Sequence, residues 1–315
     1  MCSFFEGEIF SGKLLESGRL TTKILRVHQK ETAPFQFEET LTRGSRAAEI
    51  FTRAARISQP VRAEVVLTHG LGEHSARYTH VAEALAEHGF RVWTYDLHAH
   101  GRSPGRRGDA PDYEVFLEDL ACVIAQVPKD GAPLFLIGHS FGGQVTLNYL
   151  LRREVTCRGA VIASPWLRLA FRPAAWRLVL ARLAMKVWPG FRQSTPHDWS
   201  RLSRDFEHLS GLPGSELMHH QLSARLFFTM VKEGAAALEG ASRLQVPLLL
   251  IHGGEDSVTS AAATKEFYRK AGVVDKTFSV YPDARHETLN DLCRDQVIYE
   301  IVQWMEKRLG PKSEG

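Results

Sequence analysis

From residue 60 onward, short apolar runs alternate with helix-length amphipathic segments. "AEVVLTHG" reads as a buried strand running into a loop. Positions 77–88 carry helical spacing and stop at Gly89. "FRVWTYD" reads as the next strand, and "YEVFLEDLACVIAQV" returns to the helical period. "PLFLIGHS", a helix through "QVTLNYLL", and "GAVIASP" continue the rhythm. It resumes late in the chain with "VPLLLIHGGED", "SAAATKEFYRKAG", "KTFSVYPDARH" and "DQVIYEIVQWMEKRL". Short, largely apolar strands alternating with helices predict an α/β fold. Its sheet is mostly parallel and covered on both faces.

Two stretches depart from the pattern. "FQFEETL" and "AAEIFTRAA" flank "TRGSR" and read as an antiparallel hairpin. Between positions 165 and 244 the strands stop and a helical insertion follows. The expected organisation is therefore an unassigned extension over 1–34, a core over 35–164, a helical cap over 165–244, and the second part of the core over 245–315.

Bulk properties narrow the class without naming it. The 315 residues are 44% hydrophobic and 24% charged, ordinary for a globular protein with a large core. A net charge of +3 is too mild to argue for nucleic acid. The four cysteines, Cys2, Cys122, Cys157 and Cys293, have neither disulfide-scaffold nor metal-type spacing. The start "MCSFFEGEIFSGKLLE" lacks a basic leader and a long apolar run, and no stretch approaches the ~20 apolar residues of a membrane span. These features lead to the expectation of a cytoplasmic protein, associated with membranes at most peripherally.

Chemistry enters at "LFLIGHSFGG", where G-x-S-x-G stands directly between an apolar strand and a helix. That context defines a nucleophile elbow at Ser140. The chain reverses sharply there, so the flanking positions must be small, and the hydroxyl sits at a helix N-terminus that favours developing negative charge. A serine needs a base, and this architecture supplies an acid and then a histidine after later strands. Asp256 in "HGGEDSV" and His286 in "PDARHE" fall at those strand ends. Glu255 and Asp283 are local rivals for the acid. His286 would accept the Ser140 proton, and Asp256 would fix its tautomer and stabilise the imidazolium.

"HGLGEHSARY", positions 69–78, crowds two histidines, a glutamate and two glycines into six residues. The H-x-x-x-x-H spacing does not put both rings on one helix face, and nothing nearby completes a metal site. The phosphate-loop pattern is absent as well. The segment follows the strand after which this fold makes its second oxyanion donor. The N–H groups of Leu71 and Phe141 are therefore expected to converge on the oxyanion.

Taken together, "HGLGEHSARY", "YDLHAHGRSPGRRG", "GHSFGG", "SRLSRD" and "HGGED" resemble the monoacylglycerol lipase and lysophospholipase family of α/β-hydrolases, in order from about residue 36 to the end. The resemblance implies an α/β-hydrolase fold, a serine esterase acting on a single-acyl lipid, no metal and no cofactor. It also implies that Glu73 and Arg77 help bind the polar headgroup. Three positions depart from the family pattern. Leu289 stands where a glycerol-contacting histidine is expected, "LPGSELM" replaces the usual cap motif, and Ala99 replaces a glycine. The first two weaken glycerol as the headgroup and leave the triad untouched.

The insertion opens with "PWLRLAFRPAAWRLVLARLAMKVWPGF", in which Leu169, Trp176, Val179, Leu180, Leu183, Val187 and Trp188 alternate with five basic residues. No acidic residue occurs between positions 165 and 193. A basic amphipathic helix can dock on an anionic lipid surface, or it can lay its apolar face over the core. The expected function is hydrolysis of a monoacylglycerol or lysophospholipid through an acyl-enzyme. Two alternatives remain at this stage: a broader carboxylesterase or amide-cleaving relative, and a catalytically silent lipid-binding module. An intact triad argues against the silent module. Dehalogenases and epoxide hydrolases need an aspartate where Ser140 stands.

Overall fold

The computed structural model describes residues 36–194 and 198–309. The unassigned extension over 1–34 lies outside them. The chain enters through a hairpin, β1 (Phe37–Arg43) and β2 (Glu49–Ala55), paired antiparallel from Phe37–Ala55 to Arg43–Glu49. Then come β3 (Ala63–Thr68), α1 (Thr79–Glu87), β4 (Phe90–Tyr95), α2 (Glu114–Gln126), β5 (Leu134–His139), α3 (Ser140–Arg152) and β6 (Gly159–Ala163). Next the chain leaves the sheet for α4 (Ala175–Val187), β7 (Arg192–Ser194), α5 (Trp199–Leu202), α6 (Phe206–Gly211), β8 (Gln221–Ser223) and α7 (Ala224–Gly240). It returns with β9 (Leu248–Gly253), α8 (Ala261–Lys270), β10 (Lys276–Tyr281) and α9 (Arg294–Leu309).

The eight-stranded sheet has the order β1-β2-β4-β3-β5-β6-β9-β10. Only β1–β2 and β2–β4 pair antiparallel; every pairing from β4 to β10 is parallel. Strand alternation sorts the core into two layers, as a sheet buried on both sides requires. Val66, Leu136, Ile162 and Leu250 face α2, α3, α7 and α8, while Val65, Phe135, Val161 and Leu249 face α1 and α9. Gly89, with φ +79, ends the α1 segment in the left-handed conformation that glycine adopts without penalty. Ser223 and Ser260 cap α7 and α8 by accepting from the N–H groups of Leu226 and Ala263.

Two expectations about the insertion need correction. Strands do not stop there, because β7 and β8 form a small antiparallel pair. Each is three residues long and mostly polar, too short for any period to register. The notion that the first cap helix simply covers the core also fails, since no residue of α4 is buried. Trp176, Val179, Leu183 and Val187 form an exposed stripe at helical spacing, with Val187 87% exposed. The opposite positions, Leu178, Ala181 and Ala184, wall a cavity.

Candidate active site

β5 delivers its last residue into a turn so tight that Ser140 adopts φ +51, a left-handed conformation uncommon for a residue with a Cβ. The turn fits only because its neighbours lack side chains. A Cβ on Gly138 would lie 2.7 Å from the Gly142 carbonyl oxygen, and one on Gly142 would overlap the carbonyl oxygens of Thr68 and His69. Strain of this kind persists where surrounding structure over-determines it, and it concentrates at functional sites. Ser140 is thereby held at the first turn of α3 with its hydroxyl facing the loops at the carboxyl ends of the strands.

The loops after β9 and β10 bring Asp256 and His286 into line with it. His286 Nε2 lies 2.9 Å from Ser140 Oγ, and His286 Nδ1 lies 2.8 Å from Asp256 Oδ2. The three residues predicted from sequence meet in one hydrogen-bonded chain. Glu255 and Asp283 make no bond to the imidazole. Asp256 is also fastened from behind. Its Oδ1 accepts from the N–H groups of Val258 and Thr259, at 2.7 and 2.9 Å, and its Oδ2 accepts from Thr259 Oγ1 at 2.8 Å. A second histidine, His252, sits 3.1 Å from the same oxygen and 3.0 Å from Thr264 Oγ1. Neither His252 nor Thr259 was singled out in the sequence. His252 falls inside "IHGGED", directly before the loop that carries the acid.

The electrostatics suit proton transfer. Burial alone would raise the Asp256 carboxyl, but His286 and His252 outweigh it and hold it well below the usual carboxylate range. Burial alone would lower His286, but Asp256 and its hydrogen bond outweigh that, placing the imidazole above its ordinary value of 6.5. His139, beside Ser140, is pushed to about 4, chiefly by burial, and so stays neutral near neutral pH. Such a line can take a proton from a hydroxyl and return it to a leaving group. The Leu71 residue borders the cavity, and the Phe141 N–H lies in the first turn of α3 while its ring is buried in the core. Neither N–H donates to a loop or side-chain acceptor among the described residues.

A cavity of about 500 Å³ opens above Ser140 and His286, within the ~300–1,000 Å³ range of small-ligand sites. Its walls include Trp166, Leu169, Phe171, Phe227 and Met230. Much of that apolar lining comes from the cap. The pair Glu73 and Arg77 divides. Glu73 lines the cavity, whereas Arg77 does not and is 1% exposed. Arg77 donates from Nε to Glu73 at 3.0 Å and from Nη2 to Glu287 at 2.6 Å. Glu73 also accepts from Tyr78 Oη at 2.8 Å and from the Gly70 N–H. Burial alone would raise the Glu73 carboxyl, but Arg77, His139, His69 and Tyr78 lower it to about 2. Leu289, where the family resemblance placed a histidine, is buried in the core, and the same loop presents Glu287 to the cavity instead. Among the described residues no cluster suits a metal ion, and no helix is long and apolar enough to cross a membrane.

A mostly parallel sheet with an antiparallel entry, a strained serine at a strand–helix elbow and a cap over the crevice together define an α/β-hydrolase of the serine hydrolase class. Residues 59–293 match the family model described as serine aminopeptidase, S33, and the chain belongs to that family. As an enzyme it falls among the carboxylic ester hydrolases. A monoacylglycerol lipase of Mycolicibacterium smegmatis is 28% identical over 79% of this chain and 89% of its own. An uncharacterized abhydrolase domain-containing protein of Dictyostelium discoideum is 31% identical over 78% of this chain, which spans 26% of that protein. Among solved structures, the monoacylglycerol lipase of Paleococcus ferrophilus superposes with a TM-score of 0.75 at 30% identity, covering 82% of this chain and 99% of the other.

Proposed function

We propose that this protein hydrolyses the carboxylic ester of a single-acyl lipid, a monoacylglycerol or lysophospholipid, through an acyl-enzyme. The observation that carries the reading is the Asp256–His286–Ser140 hydrogen-bonded line at the floor of a capped apolar cavity. The acyl chain would lie along the cap walls, leaving the polar headgroup near the loop that bears His286. His286 Nε2 accepts the Ser140 proton as Oγ bonds to the ester carbon. The resulting oxyanion is held by the N–H groups of Leu71 and Phe141. The intermediate collapses as His286 returns the proton to the departing alcohol oxygen. Water, deprotonated by the same imidazole, then attacks the acyl-enzyme, and the fatty acid leaves as Ser140 recovers its proton.

The uncovered face of α4 supports a place of work at a lipid surface. Trp176, Val179, Leu183 and Val187 are exposed on the element that walls the cavity, and Arg172, Arg177, Arg182 and Lys186 flank them in a stretch, 165–193, that contains no acidic residue. Apolar side chains inside a basic rim fit an anionic bilayer. Charge reversal at Arg182 and Lys186 is therefore expected to lower affinity for phosphatidylserine vesicles, read by co-sedimentation, by about thirtyfold or more, since each cation near such a surface contributes roughly 1 kcal/mol. Equal sedimentation of variant and wild type would refute the docking.

The substrate reading is tested by a panel of glycerol, phosphocholine-glycerol and short soluble esters, with and without anionic vesicles. Long-chain monoacyl lipids are expected to exceed short-chain esters by about tenfold or more in kcat/KM, because each buried methylene contributes ~0.8 kcal/mol. Preference for the short esters would instead favour a general carboxylesterase.

A further inference from the structure

We infer that Glu287 is a specificity-determining residue that reads the charge of the departing headgroup and selects against anionic ones. The inference rests on the monoacyl-ester reading above and deepens it. Glu287 directly follows His286, lines the same cavity and is 4% exposed. Its Oε2 accepts from Arg77 Nη2 at 2.6 Å and from Asn290 Nδ2 at 2.8 Å. Its Oε1 has no hydrogen-bond partner among the described residues and is free to accept from a ligand. Glu73 joins it at the cavity wall. Two carboxylates thus share the single guanidinium of Arg77, which leaves the pair one negative charge in excess beside the reacting atoms.

Arg77 has little left to offer an incoming anion. Nε and Nη2 are engaged by the two carboxylates, and Nη1 points at Met218 Sδ, 3.4 Å away. The Trp199 ring of the cap covers the guanidinium at 5.9 Å. The two arginines that line the cavity, Arg177 and Arg201, belong to the cap. Arg201 donates to Ser257, and Arg177 lies over Trp176 on α4. A phosphomonoester leaving group beside His286 would therefore approach the uncompensated carboxylate, whose nearest guanidinium is already engaged. A polyol can donate to Oε1, and a quaternary ammonium is attracted by the charge. Like-charge juxtaposition of this kind selects by rejecting the wrong partner.

The test uses three dodecanoyl esters, of glycerol, of choline and of glycerol 3-phosphate, each kept monomeric so that surface charge plays no part. Wild-type kcat/KM is expected to be about tenfold or more higher for the first two than for the phosphate ester, the scale of one poorly screened charge contact. In Glu287→Gln the phosphate penalty should shrink by about fivefold, chiefly through KM, and the choline ester should lose its advantage. Glu287→Asp keeps the charge and should keep the discrimination. Should the Gln variant fail to fold, the wild-type order and the Asp variant still carry the test. Equal turnover of all three esters by wild type, or an unchanged ratio in folded Glu287→Gln, overturns the inference alone. No turnover of any of them by an enzyme that a fluorophosphonate still labels at Ser140 overturns the monoacyl-ester reading as well.

Discussion

Ser140→Ala is expected to abolish both fluorophosphonate labelling and ester turnover, lowering kcat by about 10⁵–10⁶, as removal of a nucleophile does in other serine hydrolases. The loss should be chemical rather than structural. Alanine retains the Cβ that the elbow already accommodates at φ +51, and the one bond removed is the 2.9 Å contact with His286 Nε2. The melting temperature should shift by no more than a surface substitution produces, about 0.5 kcal/mol in stability. Lipid binding in the cavity should survive, which separates catalysis from capture. Residual turnover within tenfold of wild type, measured on purified protein, would remove Ser140 from the mechanism.

Asp256→Asn is expected to lower kcat by about 10⁴ with the fold intact, and the hydrogen bonds around Asp256 give the reason. Two backbone N–H groups donate to Oδ1, so an asparagine oxygen must take that position. The amide nitrogen then occupies the place of Oδ2, facing His286 Nδ1, which is 2.8 Å from it in the native protein. A donor there forces the imidazole proton onto Nε2, and a protonated Nε2 accepts nothing from Ser140. The pH profile should move too. In wild type Asp256 keeps His286 above 6.5, so kcat/KM should fall with decreasing pH through an inflection above that value. Without the carboxylate the imidazole loses the group that raised it, and the acid limb should shift to lower pH. An unshifted limb in the variant would show that another group governs it.

The core was legible because its central strands are buried on both faces and therefore read as unbroken apolar runs, such as "VVL", "LFLI" and "LLLI". Ser140, Asp256 and His286 were legible because each falls where a strand has just ended, and the fold gathers such ends into one crevice. That Arg77 stands behind the cavity wall was not legible, because its second partner, Glu287, is 210 positions away. No local pattern records that a polar loop residue will be enclosed. Glu287 was passed over for a related reason. The family pattern marks Leu289, where a histidine is missing, and only the loop's folded path shows that Glu287 turns to the cavity. The α4 helix was legible as amphipathic, but periodicity does not say which of two apolar-rich faces finds a partner.

The segment "LSRD" ties the cap to the loop that holds the base. The Leu202 carbonyl accepts from the Glu287 N–H at 2.7 Å, and Ser203 Oγ donates to the Asn290 carbonyl at 2.9 Å. Arg204 pairs with Asp291, and Arg285 donates to the Ser203 carbonyl at 3.0 Å. The insertion is therefore not a detachable module that varies freely while the sheet keeps the chemistry. Its early helix can drift in sequence with the surface or chain it meets, but the stitch at 202–204 ties that freedom to the geometry of the base. In a chimaera that exchanges lids between relatives, the splice points belong outside this stitch, so that the recipient's own base-bearing loop keeps its matching anchor.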